Sequence, residues 1–352
     1  MLAHGLVLTA PNTLALQPFE LPPLGTGQAR VRVAGCGVCH TDVSFYTGQV
    51  RTRHPLPLVL GHEIAGTVID TTASDRDLIG ADVIVPAVLP CGECALCRGG
   101  HDNACLQQIM PGNHVHGGFA TDIVVPTRHL VRVPVDRRGY SLAELAVVAD
   151  AVTTPYQALA RARVEADDIV VVIGAGGIGI YAVQIALARG ARVAAVDIDR
   201  DKLERLAPFG VEWRFDAREA DAAAIKSQLR ASSGVETRWK IFEMSGTRAG
   251  QELGWSLLVP AATLGVIGFT MDKPQVRLSN LMALDAMAFG SWGCSPSLYA
   301  DALALVFDGC VTLKPFIETR PLADGPELFA ALAGSHAGTS RRAILIPDSE
   351  GV

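Results

Sequence analysis

Between about residues 5 and 140 the hydrophobic positions fall in short β-branched runs that Gly and Pro interrupt every few residues. The stretches "ARVRVAGCGV", "EIAGTVID", "ADVIVPAVL" and "ATDIVVPTRHLVRVP" predict an all-β unit of short strands. From "SLAELAVVADAVTTPYQALARA" onward the apolar spacing lengthens to that of a helix. Strand and helix segments then alternate: "DIVVVIG", "IGIYAVQIALARG", "ARVAAVDID", "RDKLERLAPFG", "RWKIFEMSG", "QELGWSLLV" and "ATLGVIGFT". That alternation predicts a parallel, doubly wound α/β sheet. A further helix, "SLYADALALVFDG", and a closing strand, "RRAILIPD", end the chain.

A length of 352 residues exceeds what one core usually supports, so two domains are expected. With 49% hydrophobic and 19% charged residues the chain is globular, and a net charge of -6 argues against nucleic acid or an anionic membrane as partner. A small anionic ligand could still use a local basic pocket. The start, "MLAHGLVLTAPNTLALQPFE", has no basic leader followed by an apolar run, so secretion is not expected. Residues 169–188 form an uncharged run long enough for a bilayer, but their clustered glycines favour a buried strand, a tight turn and an apolar helix. Eight cysteines without a secretory leader point to metal ligands or buried thiols in a cytoplasmic chain rather than to disulfides.

Three constellations carry chemistry. In "CGECALCRGGHDNAC", Cys91, Cys94, Cys97 and Cys105 have the spacing of a closed tetrahedral zinc site, which is structural because no position is left for substrate. An iron-sulfur cluster is the alternative, although nothing else suggests electron transfer. In "VVVIGAGGIG" a strand runs into Gly174, Gly176, Gly177, Ile178 and Gly179, with a helix after it and Asp197 closing the next strand. This is the dinucleotide pattern: glycines for the turn, for approach to a pyrophosphate and for helix packing, and an acid for the adenosine ribose. A carboxylate there repels a 2′-phosphate and favours NAD over NADP. The third constellation joins "GCGVCHTD" to "LVLGHEIAG": Cys39 and His62 are two donors toward a catalytic zinc, which takes three protein ligands and keeps one open position.

Taken together, "GVCHTD", "GHEIAG", the four-cysteine lobe, "GAGGIG" and Asp197 resemble the zinc-dependent medium-chain alcohol dehydrogenases over nearly the whole chain. The resemblance implies a GroES-like catalytic domain over 1–148, with the zinc lobe near 90–106, a Rossmann NAD-binding domain over 149–293, and a return to the catalytic domain over 294–352. It implies an active site between the two domains. Catalytic zinc falls on Cys39, His62 and Asp150, the last in place of the cysteine of many relatives; Glu63 lies beside the metal and Asp42 orients His62. Thr41 matches the hydroxyl that receives the alcohol proton, His40 and Arg342 match contacts to the cofactor pyrophosphate, and Thr154 matches a contact to the nicotinamide. Cys36 has no such role and reads as core. Where many relatives end the proton relay on a histidine, this chain has Ser44, which cannot hold a proton near neutral pH. The implied chemistry is Lewis-acid activation of an alcohol and hydride transfer to NAD⁺.

Less common stretches, "MPGN", "VVADAVTTPYQA", "WKIFEMSGT", "LMALDAMAFGSWGC" and "PFIETRP", resemble the 6-hydroxycyclohex-1-ene-1-carbonyl-CoA dehydrogenases. That implies a cyclic, allylic secondary alcohol carried as a CoA thioester. Arg51 and Arg53 in "TGQVRTRHP", with Arg128 and His129 further on, could meet CoA phosphates or simply be solvated. Alternatives are another cyclic or allylic alcohol without CoA, enone reduction, or a nucleotide-sensing scaffold without activity. The segment "AATLGVIGFTMDKPQVRLSNLMALDAMAFGSWG" covers the last strands of the Rossmann domain, where the family resemblance implies a dimer interface and hence a homodimer or homotetramer.

Overall fold

The computed structural model describes residues 1–334 and 341–347, which divide into two compact units. The first unit comprises Met1–Thr153, Gly293–Phe307 and Leu313–Val352; the second comprises Thr154–Trp292 and Asp308–Thr312.

The first unit is β-rich. A three-stranded sheet pairs Leu2–Ala10 with Thr13–Glu20 and with Leu58–Val59. A larger sheet is centred on Gln28–Gly37, which pairs antiparallel with Glu63–Thr71, with Asp122–Pro126 and with Arg342–Ile346. Alternation explains the central strand: Ala29, Val31 and Val33 face the core while Arg32 faces solvent. Leu6, Leu8, Val31, Leu58, Ile64, Val68 and Phe119 form that core, and burying each large apolar side chain stabilises the fold by about 1.5–3 kcal/mol. Phe329 on the helix Gly325–Gly334 meets Phe119 edge-on at 5.6 Å, so the C-terminal segment closes a core begun by the N-terminal strands. The register Ile344↔Gly37 and Leu345↔Cys36 brings Arg342 back beside the residues that follow Gly37.

Helical spacing from residue 141 to 162 does not give one helix. A 3-10 turn over Glu144–Ala149 ends at Asp150, whose φ of -141° and ψ of -54° leave the helical region, and an α-helix restarts over Thr153–Arg161. Pro155 accounts for the break, because it has no N–H to donate to the Ala151 carbonyl and its ring would clash with that carbonyl in a continuous helix. The buried turn Leu145–Ala149 belongs to the β-rich unit, so that unit extends through Thr153 rather than ending at 148. Residues 308–312 lie in the second unit rather than the first, and there the Gln184 side chain bonds both the amide and the carbonyl of Thr312.

The second unit is the doubly wound sheet. Its six parallel strands run in the order Trp213–Asp216, Arg192–Asp197, Ile169–Ile173, Lys240–Glu243, Thr263–Val266, Met287–Gly290. This is the dinucleotide-binding order, and its switch point lies between Ile169–Ile173 and Lys240–Glu243. The final crossover shows why the fold needs "LMALDAMAFGSWGC": it supplies most of the short helix Ser279–Leu284 and the whole sixth strand. The apolar run 169–188 divides into the strand Ile169–Ile173 and the helix Gly179–Ala188, and among the described residues no helix is long and apolar enough to cross a membrane.

Candidate active site

Cys39 caps the short helix His40–Tyr46. Three positions into that helix sits Asp42, wholly buried, and its carboxylate sets the local geometry. Oδ2 accepts from the Cys39 amide at 3.0 Å, while Oδ1 accepts from the Gly61 amide at 3.2 Å and from His62 Nδ1 at 3.1 Å. One acidic side chain thus holds the backbone of one candidate ligand and the ring of another. Because a carboxylate only accepts, His62 keeps a proton on Nδ1 and turns Nε2 to the other side, where a metal ion would take the place of a second proton. Burial alone would lower the His62 pKa, yet the Asp42 charge and hydrogen bonds to Asp150, Asp42 and Cys39 raise it well above the usual histidine range.

His62 Nε2 faces Asp150 Oδ2 at 3.7 Å, and Cys39 Sγ lies 3.8 Å from the same oxygen. A donor atom from each of Cys39, His62, Glu63 and Asp150 falls within 4.8 Å of every other. Tetrahedral coordination with bonds of about 2.0–2.3 Å requires ligand atoms roughly 3.3–3.8 Å apart, so the donor set fits one zinc ion. Thr41 Oγ1 is 3.8 Å from Cys39 Sγ, on the rim of this cluster.

Glu63 begins the strand Glu63–Thr71 opposite Gly37. Its Oε1 pairs with Arg342 Nη1 at 2.5 Å, and the same nitrogen donates to the Val38 carbonyl at 3.3 Å. Burial pushes the Glu63 carboxyl up to about 7 despite the pull of Arg342, and Oε2 has no hydrogen-bond partner among the described residues. A Cβ at position 37 would come within 2.1 Å of Oε2, so only glycine leaves room for this carboxylate. Arg342, expected at a cofactor phosphate, holds Glu63 through Nη1, with its side chain 8% exposed.

Behind Asp150, the Tyr299 hydroxyl donates to the Ala149 carbonyl at 2.5 Å and accepts from the Ala87 amide at 3.1 Å; Thr153 Oγ1 bonds the same carbonyl at 3.2 Å. Neither Tyr299 nor Gly37 has a sequence signature, since each acts through a contact with a residue remote in the chain. The Ser44 hydroxyl donates to the His40 carbonyl one turn back in its own helix. Cys36 is fully buried and packs under Gly61 and Gly118.

The second cluster is Cys91, Cys94, Cys97 and Cys105. Its sulfurs lie 3.5 Å (Cys94–Cys97), 3.8 Å (Cys94–Cys105) and 3.9 Å (Cys91–Cys97) apart. A disulfide needs about 2.05 Å, whereas four Zn–S bonds of about 2.3 Å give separations close to those observed. Backbone amides point at the sulfurs: Cys94 N at Cys91 Sγ, and both Cys91 N and Gln107 N at Cys105 Sγ, each at 3.3 Å. Such donors favour the thiolate form, and hydrogen bonding to the Cys97 amide draws Cys94 down to about 6. Arg128 Nη2 and His129 Nε2 both bond the carbonyl of Pro90, the residue before Cys91, at 2.8 and 2.9 Å. They therefore brace the lobe.

In the second unit the turn after Ile169–Ile173 is shaped by its glycines. Gly174 has φ +94°, and a Cβ there would lie 2.6 Å from the Ser245 amide; a Cβ at Gly179 would strike the Gly174 carbonyl at 1.7 Å. Around Gly176 there is open space, so backbone amides are exposed where a pyrophosphate would approach, with Gly177 and Ile178 leading into the helix Gly179–Ala188. Asp197 ends its strand with Oδ2 on the Ala175 amide at 2.7 Å and Oδ1 on the Asp199 amide at 2.9 Å. Each oxygen retains a lone pair for a ribose hydroxyl. The nearby Arg200 and Arg218 both bond Asp216. Thr154 is buried in the first turn of the helix Thr153–Arg161, and His40 is exposed at the start of its own.

Comparison with known proteins agrees with this geometry. Residues 25–135 match the alcohol dehydrogenase GroES-like domain and residues 177–308 the zinc-binding dehydrogenase domain. An alcohol dehydrogenase of Geobacillus stearothermophilus is 32% identical over 319 residues, covering 90% of this chain and 91% of the relative. L-galactonate-5-dehydrogenase of Escherichia coli K12 is 27% identical over 318 residues, 90% of each chain. The crystal structure of galactitol-1-phosphate dehydrogenase from Escherichia coli superposes with a TM-score of 0.88 at 26% identity, covering 98% of this chain and 100% of that one. The chain belongs to the zinc-binding alcohol dehydrogenase family and is a zinc-dependent, NAD(P)-linked oxidoreductase.

Proposed function

We propose that the protein transfers hydride between a cyclic, allylic secondary alcohol and NAD⁺, and that its substrate is 6-hydroxycyclohex-1-ene-1-carbonyl-CoA, oxidised to the 6-oxo compound. The observation that carries the catalytic part is the convergence of Cys39, His62 and Asp150 with Glu63 beside them. Cys39, His62 and Asp150 would hold a zinc ion, which would supply the Lewis acidity that makes an alcohol hydroxyl easier to deprotonate. Cys91, Cys94, Cys97 and Cys105 hold a second, structural zinc.

The chain's own groups divide the remaining work. Asp42 fixes the tautomer and direction of His62. Thr41 Oγ1 takes the alcohol proton and passes it to solvent, because the Ser44 hydroxyl is engaged with the His40 carbonyl and has no titratable nitrogen. Glu63, paired through Oε1 with Arg342, leaves Oε2 as an acceptor beside the ligands. The glycine turn and the helix Gly179–Ala188 bind the cofactor pyrophosphate, and Asp197 selects NAD by repelling a 2′-phosphate.

The CoA substrate rests on the uncommon stretches that resemble the cyclohexenoyl-CoA dehydrogenases. A polyol substrate is the competing reading, favoured by the galactonate and galactitol phosphate relatives. NADH formation followed at 340 nm decides between them, with 6-hydroxycyclohex-1-ene-1-carbonyl-CoA, cyclohex-2-enol and galactitol compared under saturating NAD⁺. The highest kcat/KM is expected with the CoA thioester; a preference for galactitol would discard the assignment and leave the dehydrogenase chemistry standing.

We also infer self-association through the outer strand Met287–Gly290, which ends the sheet order and carries the exposed Met287; Met282, Leu278 and Trp292 are also exposed. Apolar edge strands of this kind are usually covered in the native state. Sedimentation equilibrium is expected to give a dimer or tetramer mass.

A further inference from the structure

No acidic residue occurs between Asp42 and Glu63, nor between Asp102 and Asp122, in a chain with 36 acidic residues against 30 basic ones. The structure joins these two acid-free stretches. The Arg53 amide donates to Asn113 Oδ1 at 2.9 Å and the His54 amide to the Asn113 carbonyl at 2.8 Å. The second stretch then pairs with the residues leading into His62: Gly117 N donates to the Val59 carbonyl at 2.8 Å and Gly118 N to the Gly61 carbonyl at 2.9 Å. The joined loops therefore lie within three residues of a candidate metal ligand, about 10 Å of extended chain.

Two kinds of donor meet on this surface. Burial alternates along 51–54, which turns Arg51 and Arg53 outward with Thr52 between them, and neither guanidinium has a carboxylate partner among the described residues. Burial, with the Arg53 charge beside it, lowers the His114 pKa and favours the neutral ring. Its Nδ1 accepts from the Met110 amide at 3.1 Å, which assigns the ring proton to Nε2 and makes that edge a donor without any net charge. His116 is fixed in the same sense by the Val59 amide on its Nδ1 at 3.2 Å. Unpaired guanidinium groups beside neutral N–H donors suit a phosphate oxygen cluster, which takes forked and single hydrogen bonds together.

We propose that Arg51, Arg53 and His114 form a binding site for the phosphate groups of the alcohol substrate, remote from its reacting carbon. The site rests on the proposed function and extends it: it names the residues by which a phosphate-bearing substrate is told from a plain alcohol. The shared chemistry is a phosphate ester or pyrophosphate, whether from a CoA tail or from a small sugar phosphate.

The test is isothermal titration of the zinc-loaded full chain with free coenzyme A, with sorbitol 6-phosphate and with NAD⁺, at constant ionic strength, on the wild type, on Arg51→Ala/Arg53→Ala, on His114→Phe and on the control Arg238→Ala. Loss of one charge-assisted contact weakens binding by about tenfold or more. Coenzyme A affinity is expected to fall by at least about a hundredfold in the double variant and by about tenfold in His114→Phe, and to stay unchanged in the control. If sorbitol 6-phosphate binds the wild type as tightly as coenzyme A and is lost with it, the site serves small phosphate esters. The proposal is overturned if neither coenzyme A nor sorbitol 6-phosphate binds the wild type, if the one that binds does so equally in all four proteins, or if the loss falls on NAD⁺ alone. These readings need no turnover, so an inactive protein that binds coenzyme A through Arg53 would refute the oxidation and leave the site intact.

Discussion

Asp42 Oδ1 lies 3.1 Å from His62 Nδ1, inside a core that leaves Asp42 wholly buried and His62 2% exposed. The same carboxylate carries the amides of Cys39 and Gly61, so it fixes both Cys39, which follows the central strand Gln28–Gly37, and His62, which precedes the strand Glu63–Thr71. In Asp42→Asn one oxygen becomes an amide nitrogen, which cannot accept; either the Cys39 amide or the Gly61–His62 pair loses its partner. Zinc affinity at the Cys39 site is expected to fall about 10–100-fold, read by competition with a chromogenic chelator. Unchanged affinity would mean that the ring of His62 does not need this support.

Tyr299 makes a second prediction. Its hydroxyl is the partner of both the Ala87 amide and the Ala149 carbonyl, and burial raises its pKa, so it remains a donor. In Tyr299→Phe the Ala149 carbonyl keeps Thr153, but the Ala87 amide is left buried and unpaired, at a cost of about 1–3 kcal/mol. Scanning calorimetry is expected to show a lower Tm, with a larger loss in zinc-saturated protein than in chelated protein, because Asp150 is displaced from the metal only when metal is bound. Equal losses in both states would reduce Tyr299 to packing.

The four-cysteine lobe yields a third. Cys94 is the sulfur nearest two of its neighbours, at 3.5 and 3.8 Å. In Cys94→Ser the metal content measured by plasma mass spectrometry is expected to drop by one zinc per chain and the Tm to fall, since a structural zinc contributes directly to folding. Retention of the full zinc content would show that three thiolates suffice.

The ribose end of the nucleotide turn yields a fourth. Asp197→Asn removes the charge that opposes a 2′-phosphate while leaving one acceptor for the Ala175 or Asp199 amide. Two like charges about 4 Å apart repel by roughly 1–4 kcal/mol in a partly screened site. The ratio of kcat/KM for NAD⁺ over NADP⁺ is therefore expected to fall by about tenfold or more, and an unchanged ratio would place the selectivity elsewhere.

Much of this was legible before any coordinates, but unevenly. The strand, glycine turn, helix and terminal acid of the nucleotide unit are local in sequence, so periodicity and spacing identify them directly, as they do the lobe from Cys91 to Cys105. The break at Asp150 was hidden, because the apolar positions on either side keep helical spacing; Pro155 was the clue that the backbone could not continue. The seat of Arg342 on Glu63 was not legible either, since it depends on the C-terminal strand pairing with Gly37 and Cys36 across nearly the whole chain. Arg128 and His129 look like ligand-binding groups in sequence and prove to brace Pro90, because a polar side chain has the same letter whether it meets solvent, substrate or a carbonyl.

The central claim is one metal ion held by Cys39, His62 and Asp150. Anomalous diffraction at the zinc edge, from crystals of the zinc-loaded chain, tests it most directly. Two peaks per chain are expected, one among Cys91, Cys94, Cys97 and Cys105 and one within bonding distance of Cys39 Sγ, His62 Nε2 and an Asp150 carboxylate oxygen. A peak at the four-cysteine lobe alone, from protein saturated with zinc, would contradict the account.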